Sequence, residues 1–212
     1  MSTSGIGYNG KAEETRMEPI RIIKSRAIRL DMANIDTDQI IPKQFLKLVQ
    51  RTGYGNYLFY NWRFDTKGKM KPDFVLNDSN YDGREILVTR DNFGSGSSRE
   101  HAAWALVDYG FKAIIAPSFA DIFYNNCFKN GILPIKLSDS DVELLFRVAD
   151  EEEIEVHLAA QEVLVANKIL HFQVDAYRKK KLLEGLDDIG TTLKMESQIA
   201  EYEKKKSTFM TT

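Results

Sequence analysis

Apolar positions along the chain change period several times, and the changes mark its elements. Arg84–Arg90 (REILVTR) reads as a short buried strand around its ILV core, Phe111–Pro117 (FKAIIAP) as a strand of the fully buried kind, and Ile132–Leu137 as a third strand. Between the first two, Ser98–Tyr109 sets Ala102, Ala103, Leu106 and Val107 at helical spacing, with Gly110 just past its end. A second helix is predicted from a Ser118 cap to Asn130, stopped by Gly131. The strand-helix-strand-helix-strand order predicts an α/β domain with a mostly parallel central sheet and right-handed crossovers.

The flanks are less regular. Pro19–Leu30 scatters Ile and Leu among basic residues, which suits an edge or half-buried strand. Asn34–Asp38 reads as a turn-rich loop, and Gln39–Val49 as a short helix after Pro42. Phe45–Phe64 carries seven aromatics broken by Gly53 and Gly55, which fits either a binding loop or lid, or a long packed surface loop. Lys67–Asp78 is polar and loop-like. Ser138–Ala149 reads as a helix capped by Ser138 or Ser140, and Glu151–Val174 as a hairpin of alternating β-branched and polar residues. Residues 1–16, rich in Gly, Ser and Glu, read as a disordered leader, an expression remnant or a misplaced start ahead of Met17. The organisation expected is therefore a leader (1–16), an α/β domain (17–175) and a C-terminal helical extension (176–212).

Composition narrows the function. The 212 residues are 43% hydrophobic and 28% charged, which fits one folded domain with an extension. Lys plus Arg total 29 against 31 for Asp plus Glu, and the basic runs at 178–181 and 204–206 lack interleaved aromatics. A nucleic-acid partner is not expected. No apolar run approaches the ~20 residues of a membrane span and no secretory signal is legible, so neither a membrane nor secretion is expected, and the location expected is cytoplasmic. The single cysteine, Cys127, cannot hold an iron-sulfur cluster that needs several thiolates.

Candidate chemistry concentrates in Asn92–His101 (NFGSGSSREH), where a strand hands over to a helix. Backbone N–H groups and the helix dipole there favour an anion. The sequence has Arg99 where a dinucleotide fingerprint needs glycine, lacks the Gly-Lys-Ser/Thr of a P-loop, and lacks the last glycine of a nucleophile elbow. What remains is Gly96, two hydroxyls (Ser97, Ser98) and the Arg99 guanidinium, a set suited to a small polycarboxylate. A plainer account makes Ser97 and Glu100 a capping box. Arg99 resists it, because a cation near a helix N-terminus costs a few tenths to ~1 kcal/mol and calls for a compensating anion. His101 and Cys127 read as packed residues. In Asp36-Thr37-Asp38 the carboxylates could bind a metal, orient a base or cap the next turn, and spacing alone favours the cap.

Four segments, NIDTDQIIP (34–42), NFGSGSSREHAAWAL (92–106), APSFADIFYNNCFKNGILPI (116–135) and LLEGLDDIGTTL (182–193), together resemble the small subunits of 3-isopropylmalate dehydratase, relatives of the swivel domain of aconitase. The last segment resembles the bacterial leucine-pathway subunits and has no counterpart in the aconitase swivel domain. The resemblance implies an aconitase swivel-type fold and one subunit of a heteromeric hydro-lyase. Its reaction converts 2-isopropylmalate to 3-isopropylmalate through isopropylmaleate, in leucine biosynthesis. It implies no cofactor on this chain, a [4Fe-4S] cluster acting as Lewis acid on a large-subunit partner, and a small dicarboxylate substrate. By the same resemblance Ser97 is the catalytic base, Gly96, Ser98 and Arg99 bind substrate, and Asp38 orients a histidine of the partner. Rival expectations are a related hydro-lyase acting on citramalate or a homocitrate-type acid, and a noncatalytic carboxylate-binding or regulatory module.

Overall fold

The computed structural model describes residues 17–47 and 52–186. Its strands form two four-stranded sheets. The first is parallel, in the order β2 (Ala27–Leu30), β3 (Ile86–Thr89), β4 (Ala113–Ala116) and β5 (Leu133–Lys136). In β3 and β4 every residue is buried, which explains why both are apolar except for Thr89, whose hydroxyl donates to the Met32 carbonyl at 3.1 Å. Helices α3 (Glu100–Tyr109) and α4 (Asp121–Lys129) make the crossovers from β3 to β4 and from β4 to β5.

Alternate strand residues feed two cores. Ile28, Leu87 and Ile114 pack with Ala102, Leu106, Phe123 and Cys127 of α3 and α4. Ala27, Ile86, Val88 and Ile115 point to the other core, with Val142, Leu145 and Phe146 of α5 (Asp139–Val148). That second core is closed by an antiparallel sheet of β1 (Ile22–Ser25), β6 (Ile154–His157), β7 (Glu162–Val165) and β8 (Lys168–His171), in that order. Its inner row Ile23, Val156, Val163 and Leu170 lies in cross-strand register. Helix α6 (Ala176–Glu184) buries Leu182 in the same core, and the Leu182 carbonyl accepts from the Ile20 N–H at 2.9 Å.

Several local expectations are corrected. Pro19–Leu30 is two strands in different sheets, separated at Arg26. Glu151–Val174 holds three strands where a hairpin was expected, so the parallel sheet has an antiparallel neighbour of equal strand number. The helix expected from Gln39 starts earlier and is one turn, α1 (Thr37–Ile40), because Ile41 is already extended and Pro42 follows; Val49 lies outside the described residues. Ser118 does not cap α4, whose N-cap is Ala120; its hydroxyl accepts from the Asn92 N–H and donates to Asp91. Ser138 does cap α5.

The aromatic segment is packed. After a 3-10 turn at Tyr54–Tyr57 comes the single turn α2 (Tyr60–Arg63), and Tyr54, Leu58 and Phe59 are fully buried against α3 and the parallel sheet. Phe59 stacks on Trp62 at 5.2 Å and Phe45 on Tyr57 at 4.1 Å. No helix among the described residues is long and apolar enough to cross a membrane. Residues 1–16, and the end of the LLEGLDDIGTTL segment with the rest of the 176–212 extension past Leu186, lie outside the described residues.

Candidate active site

Strands β2, β3 and β4 all point their C-terminal ends the same way, and the loops after them meet there. In an open parallel sheet that end is where ligands bind. The loops are tied by main chain. The Asn34 N–H donates to the Asp91 carbonyl (2.8 Å), Gly94 N–H to Ile35 (2.8 Å), Phe93 N–H to Ser118 (3.2 Å) and Ala120 N–H to Phe93 (3.0 Å). Asn34 and Asn92 both have φ +57, and their side chains are joined by a 3.0 Å hydrogen bond. Asparagine tolerates this left-handed backbone better than most residues. These two asparagines are site-building residues that the motif reading named without giving them a role; the repeated Asn-apolar pair at the head of each loop was the available signal.

Glycine is required at position 94. Its φ is +78, and a Cβ there would lie 2.1 Å from the Phe123 ring. The chain then crosses α1. The Thr37 N–H donates to the Ser95 carbonyl at 2.9 Å, and the Thr37 hydroxyl donates to the Ser97 carbonyl at 2.7 Å. Asp36 caps α1 in a reciprocal capping box with Gln39, so the cap reading of the Asp36-Thr37-Asp38 motif holds for its first carboxylate.

Asp38 has a different partner. Arg99 donates from Nη1 to Oδ1 (2.5 Å) and from Nη2 to Oδ2 (2.8 Å), a bidentate fork between residues 61 positions apart. The Arg99 side chain is 7% exposed and that of Asp38 44%, so the cation is buried while the carboxylate stays partly exposed, with the exposed Lys43 ammonium 3.8 Å from its Oδ2. Hydrogen bonding by Arg99 holds the Asp38 carboxyl below its ordinary range. The compensating anion expected for Arg99 is thus supplied by the chain itself. One hydrogen on each terminal nitrogen is used, which leaves Nε–H and two further N–H donors.

The capping box proposed for Ser97 and Glu100 does not form. Arg99, in extended conformation, is the N-cap of α3 and gives no side-chain cap. Glu100 instead accepts from Asn130 at 3.1 Å. Gly96, Ser97 and Ser98 are exposed, and among the described residues neither serine hydroxyl has a hydrogen-bond partner within the chain. The loop therefore presents two hydroxyls to solvent, and the residue that follows them carries a buried guanidinium oriented by Asp38.

The remaining candidates lie elsewhere. His101 packs its ring against Trp104 at 4.6 Å and Tyr54 at 5.4 Å, and burial lowers its pKa. Cys127 is fully buried, which pushes its thiol well up. The described residues contain no group of three His, Cys, Asp or Glu side chains able to hold a metal ion. A cleft of about 580 Å³ lined by Ile22, Trp104 and Phe111 opens at the opposite end of the sheet, beside Glu85 and Lys112 ahead of β3 and β4. It contains none of Asp38, Gly96, Ser97, Ser98 or Arg99.

Known proteins share this construction. The family model of the aconitase C-terminal domain matches residues 17–140, which include both site loops. The 3-isopropylmalate dehydratase small subunits of Leptospira interrogans and Shouchella clausii are each 56% identical to the chain over 90% of its length, covering 95% and 98% of their own. A crystal structure of 3-isopropylmalate dehydratase from Methanocaldococcus jannaschii superposes with a TM-score of 0.62 at 27% identity, over 86% of this chain and 99% of that one. Matched by the domain model over more than half its length and by these relatives over nine-tenths, the chain belongs to the aconitase C-terminal domain family, among the 3-isopropylmalate dehydratase small subunits.

Proposed function

We propose that the chain completes the active site of a cytoplasmic 3-isopropylmalate dehydratase, a hydro-lyase of leucine biosynthesis, by placing Gly96–Arg99 over a substrate held on a large-subunit partner. The observation that carries the reading is the pairing of exposed, intramolecularly unsatisfied Ser97 and Ser98 hydroxyls with a buried Arg99 that retains free donors. The residues of this chain do not fit an iron-sulfur cluster, since its one cysteine is fully buried. The [4Fe-4S] cluster is therefore assigned to the partner.

Dehydration removes a hydroxyl from one carbon and a proton from its neighbour, and rehydration returns them in the opposite sense. Ser97 is the group assigned to that proton. A serine is too weak a base in water, so it can serve only where N–H donors and a cation stabilise the alkoxide once the partner closes over the site; Arg99, two residues along the chain, is the cation this chain would supply. Ser98, the Gly96 backbone and the remaining Arg99 donors would hold a substrate carboxylate. Asp38 keeps Arg99 oriented and offers its exposed part to a histidine of the large subunit.

The test is anaerobic conversion of 3-isopropylmalate to isopropylmaleate, followed by absorbance, with this chain and a cluster-loaded large subunit, each alone and mixed. Turnover that needs both chains and collapses in Ser97→Ala supports the reading. A complex that forms yet is silent would move the substrate to citramalate or a homocitrate-type acid, and failure of the chains to associate would favour a noncatalytic module.

A further inference from the structure

The turn that begins α1 grips the site loop at alternate residues. Asp36 bridges Ser95, Thr37 takes the carbonyls of Ser95 and Ser97, and Asp38 takes the guanidinium of Arg99. Two of these contacts are ordinary loop construction; the Thr37 hydroxyl differs because of what depends on it. The Ser97 side chain is exposed and has no partner among the described residues, so nothing on the side chain fixes where its oxygen sits. Its position is inherited from its backbone, and that peptide is held at its carbonyl by Thr37 at 2.7 Å. Gly96, one residue earlier, has φ +83 and, among the described residues, makes no backbone hydrogen bond, so it gives the Ser97 peptide no tether of its own. Thr37 is 2% exposed, which gives its hydroxyl a fixed origin and little competition from water.

We propose that Thr37 is a positioning residue for Ser97: its hydroxyl fixes the Ser97 peptide, and through it the reach and direction of the Ser97 oxygen. The inference rests on the reading of Ser97 as the base. It assigns to Thr37 no contact with substrate. Because reacting groups need placement within a fraction of an ångström, and a misplacement of about 1 Å can cost ~10²-fold in rate, the effect should appear in kcat with KM little changed.

The test compares Thr37→Val, which keeps shape and β-branching but removes the hydroxyl, with Thr37→Ser, which keeps the hydroxyl and removes a methyl. Each is measured in the reconstituted two-chain enzyme. The isolated chain is followed by amide hydrogen exchange across 94–100 and by thermal melting. Expected are a kcat roughly 10²-fold lower for Thr37→Val at similar KM, recovery of most of it by Thr37→Ser, and faster exchange at 95–99 in the Val variant only. A Val variant within twofold of the parent in kcat, or equal losses in Val and Ser, would overturn the proposal, since the second result means shape and not the hydroxyl is what matters. Should the parent enzyme itself prove inactive, the base assignment fails while exchange at 95–99 still decides whether Thr37 holds the loop; unchanged exchange there sinks the proposal independently.

Discussion

Two irregular, glycine-containing segments sit on the same side of the parallel sheet, and they are held by different balances of backbone and side-chain contact. Residues 93–99 are fastened by main chain, with Gly94, Ser95 and Ser97 bonded to Ile35 and Thr37, while Gly96, Ser97 and Ser98 stay exposed. Residues 53–64 have backbone anchors too, from Gly53 and Gly55 to the Asp108 carboxylate and from Phe59 to the Ile40 carbonyl, but most of their side-chain bulk is spent on packing: Tyr54, Leu58 and Phe59 are fully buried, and the rings of Phe59 and Trp62 stack. A segment held by its backbone leaves its side chains free for chemistry. One held by its aromatics has committed them to packing, and its composition overstates its capacity to bind.

The contrast is broken most severely at Ser97. Ser97→Ala should lower kcat of the reconstituted enzyme by about 10²–10⁴-fold, the range for removal of a positioned base, and leave the melting temperature of the isolated chain unchanged, because the hydroxyl has no partner within the described chain. Retained turnover would remove Ser97 from the mechanism. Phe59→Ala should do the reverse in kind: a loss of about 3–5 kcal/mol in unfolding free energy, read by denaturant titration. Chain that still folds should keep a near-normal kcat. A stability loss under 1 kcal/mol would mean that the aromatic segment is less firmly docked than its burial indicates.

The sequence disclosed the parallel sheet well because ILVT and AIIA are apolar but for the terminal Thr89, and Gly110 and Gly131 mark the helix ends. It also placed the site loop correctly between β3 and α3. It did not disclose how the loop is held. Ser97 and Glu100 have the spacing of a capping box, yet the helix starts at Glu100 because Arg99 is drawn into extended conformation facing Asp38, a contact across 61 residues that no local rule contains. The antiparallel sheet was half hidden for a similar reason: β1 and β2 read as one strand, and only the pairing of β1 with β6 separates them.

A smaller effect is expected from that long-range contact. Asp38→Asn keeps the shape and one acceptor but leaves the Arg99 cation without its counter-charge. Because Asp38 is 44% exposed, solvent screening moderates the cost, and roughly 1 kcal/mol of stability is the scale expected. A double-mutant cycle with Arg99→Gln should return a coupling of similar size. Zero coupling would mean that the fork orients nothing and that Arg99 is held by its burial alone.

The smallest expected effect separates the two segments by pH. Arg99 holds the Asp38 carboxyl below its ordinary 3.8, so this pair contributes its stability fully above that value and loses it as pH falls through the lower native value. Burial raises the Tyr54 phenol above 10.0, so its contribution is full below pH 10 and is lost as pH climbs through the higher native value. The site loop is therefore sensitive on the acid side and the aromatic segment on the alkaline side. Unfolding free energies measured against pH should show Asp38→Asn flattening only the acid limb and Tyr54→Phe only the alkaline one. If both substitutions flatten the same limb, the two segments unfold as one unit and the division between backbone-held and side-chain-held structure is geometric without being energetic.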